Sequence, residues 1–196
     1  LHDTFCVKHI NVCTYQAVSG SGKDGVEELL QQSSAYIDQR SIDKKVYPKQ
    51  IAFNSIPFVD CFLENNYTRE EMKMVWETHK ILDENISVNP TAVRVPVLVG
   101  HAESIYIETE KEIDIELAKN CLNEFAGISV IDDVQEVDFP TSFEHGHGTD
   151  DVYVGRIRRG LSKNNSLNLW VVADNVRKGA ALNSIQIAEN LVGSKM

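Results

Sequence analysis

The chain has 196 residues, of which 42% are hydrophobic and 24% are charged, and its formal net charge is −10. This length supports one domain with a substantial core, or one domain with an appendage. The negative charge and the lack of a Lys/Arg-rich run argue against a surface for nucleic acid or anionic membrane. No apolar run approaches a membrane span, and no signal peptide is recognisable.

The cysteines are scattered and form neither a CxxC pair nor a zinc-ligand spacing. They are Cys6, Cys13, Cys61 and Cys121. This usage predicts reduced thiols in a cytoplasmic protein. The chain starts at Leu1 and enters a strand-like run almost at once, which is typical of a fragment or a processed product.

In the first third of the chain, alternating apolar residues predict a strand at about 6–18. A helix is predicted at about 24–37, with Asp24 as its candidate N-cap. The polar stretch 38–50 is predicted to be a loop, and Pro57 is a candidate first residue of a short helix.

The helix predicted over 67–82 carries the strongest local signals. Thr68 and Glu71 have the spacing of a capping box. A predicted apolar stripe consists of Met72, Val75, Trp76, His79 and Leu82. Glu70, Lys73 and Glu77 share the opposite face, where they are either a solvated ion-pair ladder or part of a binding site.

The rest of the chain alternates between strands and helices. The predicted elements are strands at 91–99 and 103–108, a helix at 113–125, a short strand at 127–131, a loop at 132–150, strands at 151–158 and 166–174, and a final helix at 178–192. Some strands follow one another directly, whereas others are separated by helices. This order predicts an α+β fold with a mixed, mostly antiparallel sheet.

Two residues interrupt the apolar stretch "TAVRVPVLVGH" at 91–101. Arg94 is either a snorkelling or paired arginine, or part of a site. His101 is either a turn residue after Gly100 or a functional imidazole. If both face one site, the chain must bend between them, because residues seven apart in a regular strand point to opposite faces. Pro96 and Gly100 are the candidate positions for that bend.

Two short motifs are weak signals. Residues 20–25 match G-x-G-x-x-G between a predicted strand and helix, but no apolar strand ending in an acidic residue follows closely. A loop of this kind can still hold an anion at a helix start. His145 and His147 have no evident third ligand, which argues against a metal site.

Five blocks in sequence order resemble aspartate-semialdehyde dehydrogenase. They are "TYQAVSGSG" (14–22), "YTREEMKM" (67–74), "VRVPVLVGHAES" (93–104), "VGRIR" (154–158) and "WVVADNVRKGAALNSIQIAE" (170–189). Reductases of glutamyl phosphates share the chemistry but are not expected to share all five. The resemblance implies a glyceraldehyde-3-phosphate-dehydrogenase-like C-terminal domain with helices on one face of the sheet. Residues 1–174 would form the catalytic and dimerisation domain, and 175–196 a helix that packs on an N-terminal nucleotide-binding domain.

The resemblance also implies roles for individual residues. His101 resembles the acid/base, whose ordinary pKa lies close to working pH, and Gln16 resembles the residue that orients the acyl group. Arg94 resembles the group that grips the substrate carboxylate. Glu70 and Lys73 resemble the pair at the substrate amino group and phosphate. The residues that resemble cofactor contacts are Ser19, Gly20 and Asn175.

The implied reaction is the NADPH-dependent reductive dephosphorylation of aspartyl phosphate to aspartate semialdehyde in lysine, threonine and methionine biosynthesis. The implied assembly is a homodimer. The family's Asn-Cys-Ser/Thr nucleophile motif is absent, so the nucleophile and most NADP contacts are expected before Leu1. The fragment alone is therefore predicted to be inactive. The alternative is a non-catalytic dimerisation or interaction protein derived from the same fold.

Overall fold

A six-stranded mixed sheet forms the centre of the structure, which is a computed structural model describing residues 1–193. The strands are β1 (Val7–Gln16), β2 (Ser87–Arg94), β3 (His101–Thr109), β4 (Ile128–Val130), β5 (Val152–Arg159) and β6 (Ser166–Ala173), in the order β2-β1-β3-β6-β5-β4. The pairs β1–β2 and β4–β5 are parallel, and the other pairs are antiparallel. The α+β fold with a mostly antiparallel sheet is therefore confirmed.

Within residues 1–193, five α-helices accompany the sheet. They are α1 (His2–Phe5), α2 (Gly22–Ile37), α3 (Arg69–Ile81), α4 (Ile115–Asn123) and α5 (Leu182–Gly193), with a 3₁₀ turn at Val18–Ser21 and a π-helical turn at Arg177–Ala181. The prediction of Asp24 as N-cap is wrong, because α2 begins at Gly22 after Ser21. Asp24 lies in the first turn, where its negative charge is favourable to the helix dipole.

The capping box of α3 is confirmed. The Thr68 side chain accepts from the Glu71 backbone N–H, and the Glu71 carboxylate accepts from the Thr68 backbone N–H. The predicted apolar stripe is wrong in part, since Trp76 is 51% and Leu82 is 53% exposed. Met74, which the predicted stripe omits, is half-buried and lines a groove together with Ile105 of the sheet.

Two further predictions are wrong. Residues 57–66 form turns rather than a helix, since Asp60 and Asn66 adopt positive φ angles of 71° and 65° that no right-handed helix tolerates. The predicted strand at 91–99 begins earlier and ends at Arg94. Residues 95–100 form an irregular connection to β3.

The main core lies on the sheet face that α3 and α4 cover. Its buried members are Phe5, Val7, Ile86, Ile107, Ile113, Ala118, Leu122, Val154, Ile157, Leu167 and Leu169. A second, smaller cluster joins α2 to the following loop, with Val18, Leu29, Tyr47, Ile51, Ala52 and Ile56 as buried members. Burial of these side chains is the main stabilising contribution to both parts.

The opposite sheet face carries polar and aromatic side chains. Tyr15 and Trp170 pack together there, with ring centroids 5.5 Å apart and ring planes tilted by 47°. Thr91 and Ser104 are exposed on the same face. This face lacks the continuous apolar character of the side beneath α3 and α4.

The C-terminal segment leaves the sheet after β6. The predicted final helix is present as α5, but Ile185 is 55% and Leu191 is 63% exposed. The division at residue 174 and the docking of this helix on another domain remain predictions, and residues 194–196 lie outside the described part. Within residues 1–193, we find no helix with the length and apolarity that crossing a membrane requires.

Candidate active site

Arg94 and His101 face one cleft although they belong to different strands. Arg94 ends β2, and His101 begins β3. A Cβ atom added to Gly20 would lie 2.8 Å from Arg94 Nη1 and 3.5 Å from His101 Nε2, so both side chains converge on that residue. The predicted bend is confirmed at Gly100, whose φ of 91° is accessible to glycine but rarely to other residues.

The backbone of Ala17 connects these two side chains. Its carbonyl oxygen accepts from Arg94 Nη1 at 2.6 Å, and its N–H donates to His101 Nδ1 at 3.0 Å. Ala17 is fully buried, at the point where β1 ends and the 3₁₀ turn begins. A rigid piece of main chain therefore sets the relative position of the guanidinium and the imidazole.

Arg94 is buried, yet it is not neutralised by a direct ion pair. Among residues 1–193 its guanidinium makes one hydrogen bond, to Ala17. Burial lowers the pKa of Arg94, and the negative charge of Glu70 counteracts this shift. The guanidinium remains charged despite this shift. Because only one of its five N–H donors is used by Ala17, the others are free to bind a planar anion.

The environment of His101 disfavours the imidazolium. Burial, followed by the charge of Arg94, lowers the pKa of His101 to about 4, although Glu70 and Asp174 act in the opposite direction. Near neutral pH the ring is uncharged.

Glu70, in α3, forms a hydrogen bond that links this helix to β1. Its Oε1 accepts from Gln16 Nε2 at 3.1 Å, and its Oε2 accepts from Lys73 Nζ at 3.0 Å. Burial opposes ionisation of Glu70, but the bonds from Lys73 and Gln16 prevail and hold its pKa below the ordinary value. The bond to Glu70 raises the pKa of Lys73. Glu70 and Lys73 therefore belong to the cleft that Gln16 lines, whereas Glu77 is exposed.

Ser19, Gly20 and Asn175 form the neighbouring wall of the cleft. The Asn175 side chain lies 3.0 Å (Nδ2) and 3.1 Å (Oδ1) from Ser19 Oγ. Asn175 Oδ1 also accepts from the Gly100 N–H at 2.9 Å, directly before His101. The structure thus brings together all eight residues that the sequence indicated.

The G-x-G-x-x-G match is not a dinucleotide fingerprint. It spans the 3₁₀ turn and the start of α2, and the strand parallel to β1 ends at Arg94 rather than at an acidic residue. His145 stabilises the loop that precedes β5, because its Nδ1 accepts from the Thr141 N–H and its ring packs against Tyr153. Within the described residues, no group of three or more His, Cys, Asp or Glu side chains is placed to hold a metal ion.

Sequence reasoning missed two contributors to the cleft and its supports. Ala17 acts only through its backbone, for which the sequence holds no signal. Glu71 accepts from the Ala92 N–H at 3.0 Å and thereby ties α3 to β2.

Comparison with known proteins identifies the family. A profile of the family described as "Semialdehyde dehydrogenase, dimerisation domain" matches residues 1–178. The chain belongs to this family. The aspartate-semialdehyde dehydrogenase of Shewanella violacea is 54% identical over 193 residues, which are 98% of this chain and 56% of that protein. The resemblance inferred from the five blocks is therefore confirmed.

Solved structures of this family agree with the fold. Aspartate semialdehyde dehydrogenase II from Vibrio cholerae, crystallised in complex with ASA, matches at a TM-score of 0.95 and 48% identity, over 100% of this chain and 57% of that one. The Candida albicans enzyme, solved with NADP, shares the fold alone, at a TM-score of 0.69 and 23% identity over 97% of this chain and 52% of that one. The chain thus spans about 56% of the length of its curated relatives.

Proposed function

We propose that this chain is the catalytic and dimerisation part of an aspartate-semialdehyde dehydrogenase. The whole enzyme would reduce aspartyl phosphate to aspartate semialdehyde and phosphate with NADPH, within lysine, threonine, methionine and diaminopimelate biosynthesis. The observation that supports this most is the convergence of Gln16, Glu70, Arg94 and His101 on one cleft. The Vibrio cholerae relative, crystallised with ASA, supports the same substrate class.

The charges of the cleft match an amino-acid substrate. The free edge of Arg94 suits the α-carboxylate, because a guanidinium binds a carboxylate bidentately. Glu70 remains ionised and suits the α-ammonium group. Lys73 is 47% exposed at the mouth, where it suits the phosphate that leaves or attacks. Gln16 orients the acyl group between them.

We propose that the nucleophilic cysteine belongs to a part of the enzyme beyond this chain. Cys13 lies on the sheet face opposite Gln16 and Arg94, and Cys121 lies in α4, where its Sγ contacts Thr4 of α1. A thiolate delivered beside His101 would attack the acyl carbon, form a thioester and release phosphate. Covalent catalysis by this chain alone is therefore not expected.

We propose that Ser19, Gly20 and Asn175 contact the nicotinamide end of NADP. Gly20 is exposed and carries no side chain, so a ring can approach its backbone beside Arg94 and His101. Ser19 and Asn175 offer polar atoms at its edge. NADPH, when bound, supplies the hydride that reduces the acyl carbon. Most of its contacts would come from the rest of the enzyme.

The alternative is a non-catalytic dimerisation protein. It is not favoured, because folding does not need a buried guanidinium whose donors are mostly free. It also does not need Gln16, Glu70 and Lys73 joined at one cleft.

The test of the enzymatic proposal is phosphate-dependent NADP reduction with aspartate semialdehyde. The full-length protein containing this chain should be active, and the 196-residue chain alone should be inactive. Arg94→Lys should raise KM for aspartate semialdehyde by roughly tenfold or more, because an ammonium cannot bind bidentately. The matched control is Arg40→Lys, at an exposed arginine paired with Asp38. An inactive full-length protein would favour the alternative. Activity of the chain alone that survives replacement of all four cysteines would overturn the residue roles.

We propose in addition that the chain forms a homodimer through the sheet face that carries Tyr15 and Trp170. The family description of a dimerisation domain supports this. Ser104→Arg places a charge on that face, and Ser162→Arg is the control in an exposed turn. Light scattering should show dimers for the unmodified chain and for Ser162→Arg, and monomers for Ser104→Arg. A monomeric unmodified chain at every concentration would refute the dimer.

A further inference from the structure

Residues 140–148, in the loop between β4 and β5, lie directly against the backbone of Gly100. A Cβ added to Gly100 would lie 2.5 Å from the carbonyl oxygen of Gly146 and 2.7 Å from that of Ser142. A Cβ added to Gly146 would lie 3.1 Å from Gly100 Cα. Both glycines are buried, so two stretches of main chain touch here with no side chain between them. Because packed interiors transmit small displacements, the position of the loop sets the position of Gly100.

The loop is fixed to the sheet at both of its ends. The carbonyl oxygen of Pro140 accepts from Trp170 Nε1 of β6 at 2.9 Å. The N–H of Gly148 donates at 2.8 Å to Oδ2 of Asp174, the residue that follows β6. These attachments do not involve Gly100, so the loop forms an independent support on which Gly100 rests.

Gly100 in turn holds the wall of the cleft that Ser19, Gly20 and Asn175 form. Its N–H donates to Asn175 Oδ1 at 2.9 Å, and Asn175 Nδ2 lies 3.0 Å from Ser19 Oγ. Asn175 directly follows Asp174, to which the loop is bonded. A displaced loop would therefore misalign the bond between Gly100 and Asn175, and hydrogen bonds weaken steeply as their angle departs from linearity.

We propose that Gly146 is a positioning residue, whose lack of a side chain lets the loop 140–148 hold Gly100 where its N–H fixes Asn175 at the cleft. Gly146 does not adopt a positive φ, so the space, and not the backbone conformation, requires glycine there. The E-H-G-H-G motif at 144–148 is thus connected to the cleft through its central glycine. The catalytic consequence rests on the proposed function, in which Ser19 and Asn175 contact the nicotinamide end of NADP.

The first test compares two glycine-to-alanine variants of the full-length protein that contains this chain. Gly146→Ala places a methyl group against Gly100. Gly160→Ala is the matched control, because this buried glycine is crowded by Ser166, at the end of β6 farthest from the cleft. Circular dichroism checks that both variants are folded.

The readout is hydrogen–deuterium exchange, measured by mass spectrometry on peptides that cover Gly100. Exchange there should be roughly tenfold faster in Gly146→Ala than in Gly160→Ala, as expected when one buried hydrogen bond is weakened. Equal exchange in the two variants would overturn the inference, since a general loss of stability would then explain both.

Steady-state kinetics of the same variants separate positioning from stability. Gly146→Ala should raise KM for NADP by roughly three- to tenfold, the weight of one hydrogen bond, and KM for aspartate semialdehyde by less than about twofold. Val172 Cγ1 would lie 2.8 Å from the new methyl group, so adding Val172→Ala makes room for it and should lower KM for NADP again. Val172→Ala alone is the reference. A double variant no better than Gly146→Ala, or equal losses in Gly160→Ala, would show a structural role only.

A second, milder variant tests the same connection if the methyl group prevents folding. Asp174→Asn keeps one oxygen for the Val176 and Arg177 N–H groups but presents an amide NH₂ to the Gly148 N–H. The loop then loses one attachment, and the peptides that cover Gly100 should exchange faster. Exchange as slow as in the parent would overturn the inference.

These outcomes separate the two proposals. A full-length protein without dehydrogenase activity refutes the proposed function, but the exchange measurements still decide the role of Gly146. An active enzyme in which Gly146→Ala changes neither the exchange at Gly100 nor KM for NADP refutes the further inference and leaves the proposed function intact.

Discussion

The Glu70 carboxylate lies 3.1 Å from Gln16 Nε2 and 3.0 Å from Lys73 Nζ, and it thereby joins β1 to α3 across the cleft. Replacement by glutamine keeps the shape of this side chain but removes its charge. We expect Glu70→Gln in the full-length enzyme to raise KM for aspartate semialdehyde by roughly tenfold, the loss of one charge-assisted hydrogen bond. Steady-state kinetics measure this.

Glu77→Gln is the matched control on the same helix, because Glu77 is exposed and makes no bond to Gln16. Its KM should equal that of the parent enzyme. If both glutamine variants have the same KM as the parent, Glu70 does not contact the substrate and is only part of a solvent-exposed network of ion pairs.

A side chain at position 20 is expected to weaken substrate binding, because it would crowd the Arg94 guanidinium. A Cβ there would lie 2.8 Å from Arg94 Nη1, a contact that forces the guanidinium to move. Gly20→Ala should therefore weaken substrate binding by roughly tenfold while the fold persists, since Arg94 would lose its bidentate geometry. The measurements are KM in the full-length enzyme and the melting temperature of the chain.

The control for that substitution is Gly179→Ala, where the new Cβ would meet its nearest atoms at an ordinary 3.9 Å. Its KM should be unchanged. Unchanged binding in Gly20→Ala as well would show that Arg94 does not hold the substrate.

The sequence predicts this site unevenly, for physical reasons. Arg94 and His101 stand out because a charged group in an apolar strand is costly and needs an explanation. The capping box of α3 is predictable because it depends on residues three apart. The change of direction between them is predictable from Gly100, which adopts a positive φ of 91° in the connection from β2 to β3.

Other features depend on tertiary structure and leave no local signal. The Ala17 backbone holds two side chains that are 77 and 84 residues away in sequence. The turns at 57–66 follow from positive φ angles at Asp60 and Asn66, residue types that tolerate this region but do not demand it. The helix predicted after Pro57 is therefore wrong, because these two φ angles are incompatible with a right-handed helix.

Glu71 is expected to stabilise the fold through two backbone donors. Its carboxylate accepts from the Thr68 N–H and from the Ala92 N–H, and both residues are buried. Glu71→Ala should lower the free energy of unfolding by about 1–3 kcal/mol, the cost of leaving buried donors unsatisfied. Urea unfolding of the chain measures this, and Glu84→Ala, at an exposed position, is the control. A loss no larger than that of the control would refute the assigned role.

Glu103 is expected to destabilise the isolated chain near neutral pH. It lines a groove with Met74 and Ile105, and burial raises its pKa. The folded state therefore binds a proton that the unfolded state releases, so this carboxyl contributes stability below its ordinary pKa and loses it as pH rises through the raised value. Glu103→Gln should make unfolding less sensitive to pH in this range and stabilise the chain above it. Glu116→Gln, on the exposed side of α4, is the control. A variant less stable than the parent at neutral pH would contradict this account.

His101 is expected to impose the opposite dependence on pH. Its pKa is about 4 in the folded chain, against an ordinary value of 6.5. Between these values the unfolded state binds more protons than the folded state, so the free energy of unfolding must rise with pH there. The stability lost from above pH 6.5 to below pH 4 is roughly 3 kcal/mol, from 1.36 kcal/mol for each pKa unit. His101→Gln removes this dependence, because an amide does not titrate.

The decisive measurement is urea unfolding of the parent and of His101→Gln at intervals across that pH range. Since Glu103 acts with the opposite sign, the series is repeated in the Glu103→Gln background, where the total rise of the free energy of unfolding with pH should be steeper. A slope that persists in His101→Gln would assign the acid sensitivity to another group. It would also remove the stability argument for a neutral imidazole between Ala17 and Arg94.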